Sequence, residues 1–366
     1  MDHDHFMGMA LELAGRGRGR VAPNPLVGAV VVREGRVAGR GWHARCGGPH
    51  AETVALDEAG PDARGADLYV TLEPCNHCGR TGKCTAAIID AGIARVVYAI
   101  DDPNPSVTGG GAACLRTNGI AVTAGICADA AARQNRFFIK SVTRRLPFVI
   151  LKWAMSLDGA SATAAGASRW ISGEPARRKV HALRAEVAGV LVGASTVAAD
   201  DPLLTQRSGA PDVQPVRIVI DPSLRTGAGA QVVRSIAQGP VLFIAADDAD
   251  PARRAALESA GATCLAVPRN GSRLDLAAAC TELNRRGINS LLVEGGGITA
   301  GAFVDARLAD EVVVFCAPCL IGGAAVRPLA GAGITAMDRR IDLRMMEYER
   351  VGDDLCIRGR IAYPGA

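Results

Sequence analysis

His50-Ala51-Glu52, followed beyond a short apolar run (68–72) by Glu73-Pro74-Cys75, decides how the first part of this chain is read. A further sulfur, Cys84, opens the next helical pattern. One imidazole and two thiolates suit Zn²⁺. Three protein ligands leave the fourth tetrahedral position to water, the mark of a catalytic rather than a closed site. Bound zinc brings the pKa of that water toward about 7. Glu52, two residues past the imidazole, is placed to take the water's proton and hand it on.

His-x-Glu followed by Pro-Cys is the pattern of zinc-dependent base deaminases, in which the glutamate is not a ligand. The second sulfur is harder to choose, because Cys75-x-x-Cys78 also has metal-binding spacing. Gly79 and Gly82 interrupt any helix begun at Cys75, each at about 1 kcal/mol. A clean helical pattern starts at Cys84 and stops at Gly92, and a helix N-terminus favours a thiolate. His50, Cys75 and Cys84 are therefore the expected ligands of one Zn²⁺, with Cys78 their competitor. A closed knot of Cys75, His77, Cys78 and Cys84 would leave His50 and Glu52 without a role. Gly79–Cys84 looks like a phosphate loop, but His77 stands where its first glycine belongs and Cys84 where its Ser/Thr belongs.

The chain has 366 residues, enough for two domains, and 49% hydrophobic residues to fill two cores. A net charge of +4 does not demand nucleic acid, and 4% aromatic residues offer few faces for stacked bases. Arg16-Gly-Arg-Gly-Arg20 has no interleaved aromatics and reads as a solvated loop. Eleven scattered cysteines and a polar start, Met1-Asp-His-Asp-His5, lead us to expect reduced thiols in the cytoplasm. No apolar run reaches the ~18–20 residues of a membrane span. Neither nucleic acid nor membrane is expected as a partner.

Helix 4–14, strands 27–32 and 37–42 about a Glu34-Gly35 turn, helix 51–59, strand 68–72, helix 84–91, strand 95–100, helix 110–118, strand 120–124 and one helix 128–140 predict an α/β/α sandwich around a mixed sheet. The pattern restarts near residue 146, so domains 1–146 and 147–366 are expected. Strands near 148–154, 189–193, 216–220, 240–245, 289–293 and 311–315 alternate with helical stretches in the second. Leu291–Ile298 is a buried strand running into a glycine-rich turn that opens a helix, where backbone N–H groups can approach a phosphate. The Gly-x-Gly-x-x-Gly fingerprint is missing. Lys152-Trp-Ala-Met-Ser-Leu-Asp-Gly159 resembles the opening of the dihydrofolate-reductase fold, which implies a second α/β domain that binds a nicotinamide dinucleotide without that fingerprint.

Several separated blocks together resemble the bifunctional riboflavin-biosynthesis deaminase–reductases of bacteria, from about residue 3 to 360. They are Ala22–Val30, Gly41–His43, His50–Glu52, Thr71–Cys75, Gly79–Cys84, Asp102–Pro105, Lys152–Gly159, Gly193–Thr205 and Val293–Gly297. The resemblance implies a cytidine-deaminase-like first domain that hydrolytically removes the 2-amino group of 2,5-diamino-6-(5-phosphoribosylamino)pyrimidin-4(3H)-one. It implies a dihydrofolate-reductase-like second domain that reduces the ribosyl group to ribityl with NADPH. Carried over by motif, Asn24, His43, Asp101 and Asn104 would surround the pyrimidine ribotide phosphate. Ala154, Trp170, Thr196, Asp200, Ser223 and the turn Gly295, Gly296, Gly297, Ile298, Thr299, Ala300 and Gly301 would hold the cofactor. Ser168, Arg184, Leu204, Arg207 and Glu294 would hold the reductase substrate, with Lys152 and Asp200 as candidates for proton handling. A homo-oligomer, dimer or tetramer, is also expected. The competing reading is a nucleotide or tRNA deaminase carrying an unrelated nucleotide-binding domain.

Overall fold

The computed structural model describes residues 2–76, 82–105, 110–208 and 213–365. The chain divides into two compact units, Met1–Leu146 and Pro147–Ala366. Cys78 and the rest of 77–81 lie outside the described residues.

The first unit runs α1 (His3–Gly15), β1 (Gly28–Arg33), β2 (Arg36–Trp42), α2 (Ala51–Ala59), β3 (Asp67–Leu72), α3 (Cys84–Asp90), β4 (Arg95–Ile100), α4 (Gly111–Thr117), β5 (Ala121–Ala124), α5 (Ala128–Gln134) and α6 (Arg136–Arg144). Its sheet has the order β2-β1-β3-β4-β5. β1 is antiparallel to β2 and β3, whereas β3, β4 and β5 are parallel. Both faces are covered, which is why the strands read as continuous apolar runs rather than as alternating ones. Ala29, Val31, Leu68, Val70, Val96 and Tyr98 point to one face, with Ala55, Ile88 and Leu115 from α2, α3 and α4. Val30, Val32, Tyr69, Val97 and Ala99 point to the other, with Met7 and Ala10 from α1 and Ala131 from α5. Each fully buried valine or leucine among them contributes about 1.5–3 kcal/mol.

α2 sits unusually close to β2. A Cβ added at Gly39 would lie 2.1 Å from the Ala55 carbonyl oxygen, and one at Gly41 would lie 2.1 Å from that of Ala51. Only glycine permits this approach. The helix expected over 128–140 is instead two helices, interrupted at Asn135. That side chain is buried and pairs with the Leu26 backbone, accepting from its N–H at 2.8 Å and donating to its carbonyl at 2.9 Å. Asparagine here ties the segment before β1 to the α5–α6 joint, while its own N–H and carbonyl keep their helical partners, Ala131 and Ile139.

The second unit runs β6 (Phe148–Ser156), α7 (Glu174–Glu186), β7 (Gly189–Gly193), α8 (Ala194–Asp200), β8 (Val216–Ile220), α9 (Gln231–Arg234), β9 (Val241–Ala246), α10 (Pro251–Ser259), β10 (Thr263–Val267), a small ribbon β11 (Arg269–Asn270) and β12 (Arg273–Leu274), α11 (Leu276–Arg285), β13 (Ser290–Glu294), α12 (Gly297–Asp305), β14 (Glu311–Ala317), β15 (Asp342–Val351) and β16 (Asp354–Ala362). Nine strands form one sheet in the order β10-β9-β8-β7-β13-β6-β14-β16-β15. The first seven are parallel, and β16 and β15 close the edge as an antiparallel hairpin. The apolar runs predict six of these strands but not β10, β15 or β16. The missed strands lie at the two edges, where burial no longer selects apolar residues. β15 in particular is exposed along nearly its whole length. Among the described residues, no helix is long and apolar enough to cross a membrane.

Candidate active site

The ends of three elements build the first site. His50 is the N-cap of α2, Glu52 lies in its first turn, Cys75 follows β3, and Cys84 begins α3. α3 is fastened to the Cys75 segment by the Thr85 N–H, which donates to the Cys75 carbonyl at 3.2 Å. The Thr85 hydroxyl also donates to Asn76 Oδ1 at 2.8 Å. His50 Nδ1 stands 3.0 Å from Cys84 Sγ and 3.6 Å from Cys75 Sγ. All three ligand atoms lie within 4.8 Å of one another. A tetrahedral zinc with Zn–N near 2.0 Å and Zn–S near 2.3 Å needs N···S separations of about 3.5 Å, so these residues fit the ion.

Charge explains the same cluster. Without a cation two adjacent thiols cannot both ionise cheaply. Cys75 is pulled down, first by the thiol of Cys84 and then by His50, while Cys84 is pushed up as the partner that keeps its proton. A divalent ion removes that conflict and lets both be thiolates. Glu52 is 4% exposed, and burial raises its carboxyl above the ordinary range despite His50 beside it. A carboxyl lifted in this way is a better proton acceptor than an ordinary one, as a general base requires.

His43 is also buried. Its Nδ1 faces the Pro49 carbonyl at 3.0 Å, its Nε2 faces Asn24 Nδ2 at 3.1 Å, and its ring meets that of His50 edge-on at 5.9 Å. These partners assign the proton to Nδ1 and keep the ring neutral. Burial, opposed by the Pro49 carbonyl, lowers its proton affinity accordingly. Asp101 accepts from the Tyr98 hydroxyl at 2.7 Å, and the Asn104 N–H donates to Asp102 Oδ1 at 2.9 Å. Glu73 escapes a reading of the sequence by residue type. Its carboxylate accepts from the N–H of Ala112 at 2.9 Å and, more weakly, from that of Asp102 at 3.4 Å. It thus fastens the 101–105 loop and α4 to the strand end that leads to Cys75. Only its place in Thr71-Leu-Glu-Pro-Cys75 hinted at a role.

In the second unit, Lys152 and Glu294 face each other across the parallel β6–β13 pair. Arg184, on α7, grips the Glu294 carboxylate with both arms, Nε to Oε1 at 2.6 Å and Nη2 to Oε2 at 3.0 Å. Lys152 Nζ adds a longer contact at 3.8 Å. Burial pushes the Glu294 carboxyl up, but Arg184 and Lys152 together outweigh it and leave it below the ordinary range. Burial lowers the Lys152 amine, with Glu294 opposing. The remaining Arg184 nitrogen, Nη1, donates to the Thr205 carbonyl at 2.9 Å. The guanidinium fork, of a shape that would also suit a phosphate, is therefore occupied by Glu294 here. Arg207, two residues beyond Thr205, is exposed.

The glycine turn is built as expected. Gly295 and Gly296 have φ of +85° and +76°, and a Cβ at either would come within 3.1–3.2 Å of Thr196. A Cβ at Gly193 would lie 2.5 Å from Thr299 Oγ1. Thr196, the 295–297 turn and Thr299 are thus neighbours, while Ile298 is 68% exposed beside them. Trp170 is 71% exposed, with the Arg177 guanidinium 4.6 Å over its ring. Arg169 joins this group to Asp200, donating to its carbonyl and pairing with its carboxylate at 3.6 Å. Ala154 lies on β6 opposite Phe315, and Leu204 is buried with φ +58°. Ser168 is half-buried in the loop before Trp170. Ser223 follows β8, where its carbonyl accepts from Arg253 at 3.1 Å. Leu224 beside it is buried, leaving serine as the outward polar residue of that turn.

Known proteins match both halves. Residues 1–100 match the cytidine and deoxycytidylate deaminase zinc-binding region, and residues 147–357 match the RibD C-terminal domain. The riboflavin biosynthesis protein RibD of Aquifex aeolicus is 41% identical over 96% of this chain and 97% of its own length. That of Escherichia coli is 40% identical over 98% and 99%. Acinetobacter baumannii RibD superposes with a TM-score of 0.90 at 35% identity, over 98% of this chain and 99% of its own. The diaminohydroxyphosphoribosylaminopyrimidine deaminase/5-amino-6-(5-phosphoribosylamino)uracil reductase of Thermotoga maritima does so with 0.85 at 35% identity, over 98% and 99%. The second half is thus no unrelated appendage. A zinc-binding deaminase unit joined to a reductase unit, matched end to end, places this chain in the RibD family of bifunctional riboflavin-biosynthesis deaminase–reductases.

Proposed function

We propose that the first unit hydrolyses the 2-amino group of 2,5-diamino-6-(5-phosphoribosylamino)pyrimidin-4(3H)-one, and that the second reduces the ribosyl chain of the deaminated product to ribityl. The observation that carries this reading is the convergence of His50 Nδ1, Cys75 Sγ and Cys84 Sγ around the buried carboxyl of Glu52. Zinc held by those three supplies a water acidic enough to attack at neutral pH. Glu52 would carry the two protons of the attacking water in turn, the first to the ring nitrogen and the second, from the hydroxyl added to the ring carbon, to the amine, which leaves as ammonia. Asn24, His43, Asp101 and Asn104 orient the pyrimidine and its sugar phosphate.

In the second unit NADPH supplies the hydride. Ala154, Trp170, Thr196, Asp200, Ser223 and the 295–301 turn form its berth, and backbone N–H groups of the turn suit its pyrophosphate. Ser168, Leu204, Arg207 and Glu294 hold the ribosyl substrate, with the exposed Arg207 taking its phosphate. Arg184 aligns Glu294. Lys152 and Asp200 are the groups placed to move the proton that accompanies hydride transfer. Both activities are read as those of a cytoplasmic homo-oligomer. The free thiols and the exposed Leu343, Met345 and Tyr348 on β15 support that reading.

A coupled assay tests the whole. NADPH oxidation should depend on prior ammonia release when the diaminopyrimidine ribotide is supplied. Asp200→Asn should release ammonia at the wild-type rate while oxidising NADPH poorly. Ammonia release from cytidine or tRNA, but not from this ribotide, would overturn the assignment.

A further inference from the structure

Trp170 is the one aromatic residue in the proposed cofactor berth, and it is 71% exposed. An indole so placed gains little hold from a core, so its orientation has to come from what lies against it. Arg177, in the first turn of α7, is that neighbour. Its guanidinium carbon stands 4.6 Å from the centre of the Trp170 ring. Its Nη1 donates to the Ser172 carbonyl at 2.8 Å. The Arg169 guanidinium is farther from the ring, at 5.8 Å, and is engaged with Asp200.

We propose that Arg177 is a positioning residue of the reductase, which holds the Trp170 indole and the backbone beside it in place for NADPH. The inference rests on the reading of Trp170 as a cofactor contact.

The two contacts restrain different things. The hydrogen bond fixes the main chain just past the tryptophan, and the cation fixes the ring itself. One planar group can do both, because a guanidinium carries several N–H donors as well as a charge that aromatic rings attract. A second clasp acts on the same loop. The Gly173 N–H donates at 2.7 Å to the carboxylate of Asp354, which is 2% exposed at the start of β16. The Ile171 N–H closes a turn onto the Ser168 carbonyl at 3.2 Å. The backbone of 168–173 is thus set by its neighbours, and Arg177 extends that order to the indole. A ring ordered before the cofactor arrives spares binding the cost of ordering it.

The test uses the full-length enzyme, with NADPH oxidation followed on the purified deaminated ribosylaminouracil phosphate. Arg177→Ala should raise the KM for NADPH about fivefold, the combined size of one exposed cation–π contact and one hydrogen bond at the low end of their ranges. Its kcat and its ammonia release from the first substrate should stay near wild type, since the loss is one of binding alone. Arg177→Lys keeps a cation and a donor without the planar fork, so it should recover part of the loss. Fluorescence reads the ring itself. The emission of Trp170, taken as the difference between each protein and its Trp170→Phe counterpart, should be quenched by acrylamide more strongly in Arg177→Ala than in wild type. In a Trp170→Ala background, Arg177→Ala should add little to the KM for NADPH, because it acts through that ring. An unchanged KM for NADPH, unchanged quenching, no recovery with lysine, or full additivity with Trp170→Ala would each overturn the proposal. If Trp170→Ala itself left the KM for NADPH unchanged, the reading of Trp170 as a cofactor contact would fail whatever Arg177 did. Should the alanine variant not fold, Arg177→Met, unbranched and without charge or donor, takes its place in every comparison.

Discussion

Replacing Glu294 with glutamine removes the one negative charge standing between two cations while keeping the side chain's shape. The carboxylate side chain is 9% exposed, against 13% for Arg184 and 16% for Lys152. Breaking a buried ion pair by neutralising one member costs about 3–5 kcal/mol. The glutamine oxygen still accepts one hydrogen bond and both cations retain some access to water, so the low end, about 3 kcal/mol, applies here. At about 2–4 °C per kcal/mol for a unit of this length, the reductase transition should fall by roughly 6–12 °C. Calorimetry on the full-length protein, with and without inorganic phosphate, reads this directly. Phosphate should raise the transition of Glu294→Gln more than that of wild type, because the anion answers cations that have lost their partner. The pH dependence has a definite sign. The Glu294 carboxyl is held below its ordinary value of 4.5 in the folded protein. Its contribution is therefore complete above that value and is lost as pH falls through the lower folded one. Wild type and variant should differ most near neutrality and converge below pH 4.5. A shift smaller than about 2 °C at pH 7, or a gap that widens in acid, would refute the account of this network.

Glu52→Gln should keep its zinc and lose about 10²–10⁴-fold or more of the deamination rate, while still oxidising NADPH on the deaminated substrate. Loss of both activities in a folded, zinc-loaded variant would point to a single shared site. Cys84→Ser should lose the metal and Cys78→Ser should retain about one equivalent, as one catalytic zinc needs three protein ligands. Metal analysis showing the reverse would exchange the two sulfurs. Gly301→Ala should abolish NADPH binding with deamination intact, because the added Cβ would lie 1.4 Å from the Ala330 carbonyl oxygen. Normal NADPH titration by that variant would show that α12 can shift at little cost.

Much of the first unit was legible because its strands are buried on both faces and its ligands are rare residue types at rare spacing. His50 and Cys75 could be named from residue type and spacing, whereas Cys84 was chosen over Cys78 from a helix start that two glycines implied. The role of Asn135 was not legible, since its side chain pairs with Leu26, far away in sequence. β15 and β16 escaped for a different reason. An edge hairpin with exposed faces carries no hydrophobic period, and only the Gly352-Asp353 turn marks it. In the second unit, residue types suggested Arg184 and Glu294 but not that they bind each other. That pairing depends on the fold bringing Arg184 of α7 to the last residue of β13, a tertiary fact that leaves no trace in either segment.

The seating of α2 on Gly39 and Gly41 bears on how this enzyme can be altered. Most helices stand off their sheet on a cushion of side chains, and exchanging those side chains moves the helix by fractions of an ångström. α2 has no such cushion at its His50 end, where the Gly41 backbone meets the Ala51 carbonyl. The height of Glu52 above the two sulfurs is thus a main-chain dimension that hydrophobic drift in the core leaves untouched. Residue 41 offers no adjustable setting, because the next larger amino acid already needs space that the helix backbone occupies.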